Sequence, residues 1–142
     1  MEVDDMPRDA DNTLETPAPT PEWILALTTL GDLPALRSRV KEHLIAHGRP
    51  DLVEDGRLVA TELATNAFLH GGDGVYAHGW KCEAGIVVAV ADGGVGDATR
   101  IRLGSIPDRN QVGGRGLLLV AALATVEVRI TNQGTTVAAT LR

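Results

Sequence analysis

Cysteine occurs once in this chain, at Cys82, so no disulfide can form within it and the core alone must hold the fold. A reducing compartment, the cytoplasm, is the expected location. Long apolar runs are also missing. None approaches the roughly 20 residues that span a bilayer, so no membrane association is expected. The start, Met1-Glu2-Val3-Asp4-Asp5, is acidic and lacks the apolar stretch of a secretory signal.

Lysine is confined to Lys41 and Lys81, and no GxxxxGK[ST] phosphate loop exists. Gly94-Val95-Gly96 is followed by Asp97, Ala98 and Thr99, so GxGxxG is not completed. CxxC and HExxH are absent. His43 and His47 stand one helical turn apart, but no acid lies between them, and the pair reads as solvated helix surface rather than a metal site. Gly93-Gly94-Val95-Gly96-Asp97 resembles one turn of a calcium-binding repeat, a motif that needs stacked copies and here has one.

What is present fits one domain. The 142 residues are 44% hydrophobic and 23% charged, enough to bury a core unaided. Charge is placed unevenly. Residues 1–21 hold six acids, one base and four of the seven prolines, so they carry -5 of the net -6. Such a segment cannot bury enough surface to offset ordering and is expected to be a disordered, acidic, proline-rich leader, with the folded domain at 22–142. Acidity also argues against direct nucleic-acid binding, which needs a basic face.

Periodicity predicts a strand at 22–29, broken at Gly31, with Asp32 as the N-cap of a helix that carries Leu33, Leu36, Val40 and Leu44 inward. Gly48 and Pro50 end it. A second helix is predicted over 52–70, then strands at 75–80 and 85–91. Residues 92–112 are glycine-rich and irregular. A third helix is expected from 114 to 124, and a terminal hairpin pairs 125–131 with 135–141. That order predicts a two-layer α/β (α+β) sandwich, with a mixed, mostly antiparallel sheet and the helices on one face.

The second helix holds misplaced polarity. Glu62, Asn66 and His70 follow one another at i, i+4, i+8, flanked by Leu58, Val59, Leu63 and Leu69. Two readings fit: a satisfied polar patch or helix edge facing water, or a ligand site. In the second, the Asn66 carboxamide oxygen suits Mg²⁺, and Glu62 could take a proton from an attacking hydroxyl or water beside a γ-phosphate.

Two glycine boxes follow. Residues 87–91 read as a buried strand ending in Asp92, whose ionised carboxylate could accept from an exocyclic amine such as that of adenine. Gly94 and Gly96 would let the backbone approach a ligand, although a plain turn is the simpler reading of that stretch alone. Gly114-Arg115-Gly116 opens a helix, where free N–H groups and the positive dipole end suit phosphate. Arg115 could add charge there or point to solvent. Thr135, at the start of the last strand, could reach a base or its bound water.

Taken in order, Glu62-Leu63-Ala64-Thr65-Asn66-Ala67-Phe68-Leu69-His70-Gly71, Asp92-Gly93-Gly94-Val95-Gly96, Gly114-Arg115-Gly116-Leu117 and Gly134-Thr135-Thr136-Val137 resemble the boxes of the GHKL ATP-binding superfamily. Size and the ELxxNAxxHG form resemble the anti-sigma-factor serine/threonine kinases of the RsbW and SpoIIAB type. A sensor histidine kinase is not expected, because no dimerisation helix pair fits before the first strand.

The resemblance implies a Bergerat fold, ATP with Mg²⁺, and γ-phosphate transfer to a serine or threonine of a STAS-type anti-anti-sigma factor. It also implies alternative binding of a sigma factor, by a homodimer. It makes Asn66 the Mg²⁺ ligand and Glu62 the general base. Asp92 and Thr135 then read the adenine, Gly94 and Gly96 shape its pocket, and His70, Gly114, Arg115 and Gly116 lie by the phosphates. The alternative is an ATP-binding module that sequesters a partner without kinase activity.

Overall fold

The computed structural model describes residues 19–70, 74–93, 114–132 and 134–142. Its elements follow the predicted order. They are β1 (Trp23–Ala26), α1 (Leu33–Ala46), α2 (Val53–His70), β2 (Tyr76–Cys82), β3 (Gly85–Asp92), α3 (Gly114–Leu123), β4 (Thr125–Thr131) and β5 (Gly134–Leu141). Two short 3₁₀ turns, Leu30–Asp32 and Pro50–Leu52, lead into α1 and α2. The five strands form one sheet in the order β1-β2-β3-β5-β4. Helices pack on it to give the expected two-layer α+β sandwich. Where a mixed, mostly antiparallel sheet was expected, every described strand pair is antiparallel. Only two residues separate β2 from β3 and β4 from β5, too few for the crossover a parallel pair needs.

The entry to α1 corrects one expectation. Asp32 makes no side-chain bond to the helix it precedes. Its carboxylate instead accepts from the Thr28 and Thr29 backbone N–H groups at 2.7 and 3.1 Å, while the Thr29 hydroxyl accepts from Gly31 N–H at 3.0 Å. This capping box closes the 3₁₀ turn one step earlier, a device that contributes about 1 kcal/mol.

Helical spacing puts Leu36, Val40 and Leu44 of α1 fully inside. On α2 the buried row is Val59, Ala60, Leu63, Ala64 and Ala67. Small residues let the helices approach closely. A Cβ on Gly56 would stand 2.5 Å from Leu44 Cδ1 and 3.3 Å from Leu141 Cδ1. Beneath the helices, period-two alternation aligns Ile86, Val88 and Val90 of β3 with Leu141, Ala139 and Val137 of β5. β3 is buried from Ile86 to Asp92, because the other face of the sheet carries Tyr76, His78 and Trp80 alongside its small Ala89 and Ala91. No helix among the described residues is long and apolar enough to cross a membrane.

The leader reading for residues 1–18 lies outside the described residues. Pro19 and Pro21 are described, and they line a groove of about 230 Å³ on the sheet face opposite the helices.

Candidate functional site

The core rows of β3 and β5 do not end in apolar residues. Two positions past Val90 stands Asp92, and two before Val137 stands Thr135. The register sets these two opposite each other, so both continue the helix-facing row. Asp92 is 4% exposed and Thr135 2%. The Thr135 hydroxyl has no hydrogen-bond partner among the described residues. Gly134 makes the close approach possible. Its φ is 143°, and a Cβ there would run into the Asp92 carbonyl oxygen. Only glycine lets β5 begin against the Asp92–Gly93 backbone.

Helix α2 brings Asn66 to the same end. Gly56 abuts Leu141, at the opposite end of the β3–β5 rows. Ten residues of helix advance about 15 Å, while the six steps from Ile86 to Asp92 cover about 20 Å. α2 therefore runs from the Leu141 end toward the Asp92–Thr135 end. Asn66 is 5% exposed, and its carboxamide nitrogen has no partner among the described residues. An unsatisfied buried amide costs roughly 1–3 kcal/mol. Two such orphans, one on the helix layer and one on the sheet, are groups that a polar guest could satisfy.

Glu62 sits one turn before Asn66 and is half-buried, on the rim of the buried row. The flanking residues need correction: Leu58 and Leu69 are exposed, and the apolar setting of Asn66 comes from Val59, Leu63 and Ala67. Two threonines nearby are satisfied within the helix. Thr61 donates to the Arg57 carbonyl at 2.8 Å and Thr65 to the Thr61 carbonyl at 2.7 Å. They leave Glu62 and Asn66 as the side chains of that stretch still suited to a ligand.

The donor set fits a magnesium nucleotide. A carboxamide could supply one hard oxygen to Mg²⁺, a half-buried carboxylate could hold a proton beside it, and a buried acid with a hydroxyl across the strand could grip an amino-purine. α3 opens at Gly114, as the phosphate-end reading requires of the backbone. Gly94 and Gly96 lie outside the described residues, as do the side chains of His70 and Arg115. A cavity of about 170 Å³ does touch Asp92, Gly93 and Gly134, but Tyr76, Arg129 and Thr136 complete it, so it opens on the opposite face of the sheet.

Sequence reasoning missed a second polar cluster. His43 is not solvated surface: it is 4% exposed and turns inward beside Leu44. Burial pushes its imidazole below the ordinary value, against the pull of the nearby Glu22 carboxylate. Glu22, just ahead of β1, pairs with His47 at 2.7 Å. That bond holds the Glu22 carboxyl below its usual range. The signal was present in the His43-x-x-x-His47 spacing, but the acid comes from a distant part of the chain.

Comparison with family models matches residues 27–141 to the histidine kinase-like ATPase domain. No curated protein matches the chain. The match spans every described element except β1, which ends one residue before it, and it covers the two strands and the helix that supply Asp92, Thr135 and Asn66. With its antiparallel sheet layered under helices and a polar end to its core, the chain belongs to the histidine kinase-like ATPase domain family, a GHKL-type ATP-binding fold.

Proposed function

We propose that this protein is an ATP-binding regulator that works as an anti-sigma factor and phosphorylates a serine or threonine of a STAS-type anti-anti-sigma partner. Bound ATP supplies the γ-phosphate. Asn66 holds Mg²⁺, Asp92 accepts from the adenine amine with Thr135 beside it, and Glu62 takes the proton of the acceptor hydroxyl. His70, Gly114, Arg115 and Gly116 are assigned to the phosphates, Gly94 and Gly96 to the base pocket. The working unit is a homodimer in the cytoplasm.

One observation carries the nucleotide part: polar side chains from α2, β3 and β5 end the core together, two of them with unpartnered buried atoms. Glu62, one turn from Asn66, supports the kinase part. The test has two arms. Calorimetry with Mg²⁺ and ATP gives one site on the wild type and none on Asn66→Ala or Asp92→Ala. Labelled ATP with a candidate antagonist gives phosphoserine or phosphothreonine, and Glu62→Ala slows this on the order of 100-fold or more while still holding ATP. Absence of any nucleotide heat overturns the whole reading. Nucleotide and partner binding without phosphotransfer leaves a sequestering module.

A further inference from the structure

We infer that Glu22, His43 and His47 form a binding site for a divalent transition ion of the Zn²⁺ class, remote in its residues from the nucleotide end and independent of that assignment. The Glu22 Oε1, His43 Nδ1 and His47 Nε2 atoms all lie within 4.8 Å of one another. Glu22 stands 2.7 Å from His47 and 3.8 Å from His43. Tetrahedral bonds of about 2.0–2.1 Å place neighbouring donors roughly 3.3 Å apart, and the observed separations bracket that value. Small side-chain rotations close the shell.

The supporting structure suits ligation. His43 Nε2 lies 3.3 Å from the Val87 carbonyl oxygen. A ring that donates there presents Nδ1 to Glu22, the outer-shell arrangement that orients metal-bound imidazoles. Trp23 meets His43 edge-on, with ring centroids 5.7 Å apart. Gly79 leaves the room, since a Cβ there would lie 2.9 Å from His43 Nε2. On the backbone side, Glu22 N–H donates to the Gly79 carbonyl at 2.7 Å, which fixes where the acid enters. His43 and His47 come from one turn of α1, so the helix presets two of the three donors.

Donor chemistry selects the ion. Two imidazoles and one carboxylate favour Zn²⁺ and its neighbours, whereas Mg²⁺ and Ca²⁺ prefer shells of oxygen. Three protein ligands leave one position for water on the side of the part-exposed Glu22. The physical effect is a clamp between α1 and the edge strand β1, which is only four residues long. Glu22 precedes the span matched by the family model, whereas His43 and His47 lie within it.

The experiment is a titration of the metal-stripped full chain with ZnCl₂, followed by calorimetry and thermal melting. The wild type is expected to take one equivalent and to melt about 5 °C or more higher at a hundredfold excess over Kd. Co²⁺ in its place gives visible ligand-field absorption, and excess Mg²⁺ displaces neither ion. His47→Gln and Glu22→Gln, both at part-exposed positions, keep the fold and lose affinity on the order of 100-fold. His78→Gln and Cys82→Ser bind like wild type. No stoichiometric uptake, or equal uptake by His47→Gln and Glu22→Gln, overturns the site and leaves the cluster as an ion pair beside a buried histidine.

Discussion

At the scale of single residues, Asn66 stands out as a side chain set against stability. Its carboxamide nitrogen is buried and has no partner among the described residues, which no folding argument favours. Leucine of similar volume in its place removes the unsatisfied group. Asn66→Leu is therefore expected to raise the urea midpoint of the nucleotide-free protein by the equivalent of about 1 kcal/mol, and to abolish the ATP-dependent rise in melting temperature. A destabilised Asn66→Leu would mean that the amide is satisfied in solution. His78 acts in the opposite sense. Burial beneath the sheet's open face pushes its imidazole below the ordinary value. The unfolded chain then binds more protons than the folded one below about pH 6.5, so stability is full above that pH and declines as pH falls toward the folded value. His43 adds a decline of the same sign. Comparing urea midpoints at pH 7.5 and 5.5, His78→Gln should show a smaller drop than wild type.

At the scale of elements, the β3–β5 pair is the part of the fold on which the candidate site most depends. Gly134 adopts a φ of 143°, and the Asp92 backbone occupies the space a side chain would need. Gly134→Ala should cost about 3 kcal/mol, from the disfavoured conformation and the collision together, and should weaken nucleotide binding more than Gly48→Ala. Gly48 is a fair control: it too has positive φ, yet a Cβ there meets nothing. Urea melts and ATP titrations of both variants separate strain from site geometry. These elements were legible in the chain because their periodicity is local: 125–131 alternates, and 53–70 repeats its apolar residues every turn. The capping box at Thr29 was missed because Asp32 has two possible partners, one ahead and one behind, and spacing alone favours neither. The mostly antiparallel sense of the sheet was legible, but that its remaining described pairs are antiparallel too, and the Glu22–His43–His47 cluster, were not, for a related reason. Both depend on which distant segments meet, and pairing leaves no local periodic trace.

Across the whole molecule, the two polar clusters divide the work of one small core. The apolar rows between α1, α2 and the sheet supply cohesion, and the row ends in Asp92 and Thr135 give up some of it. A domain built this way gains stability when its polar end is filled. A ligand present at a hundred times its Kd contributes about 2.7 kcal/mol, which for a chain of this size raises the melting temperature by roughly 10 °C. The nucleotide-free protein should therefore melt well below the protein in Mg²⁺ and ATP. Asp92→Asn should lose most of that difference, because a carboxamide can turn its N–H groups toward the adenine amine where a carboxylate only accepts. Glu62→Ala should keep it, since Glu62 sits on the rim and is assigned to proton transfer rather than to holding the nucleotide. Differential scanning calorimetry of the three proteins with and without Mg²⁺ and ATP reads this directly. A shift retained by Asp92→Asn would move the purine away from the β3–β5 end. A shift lost by Glu62→Ala would make that residue part of the binding surface.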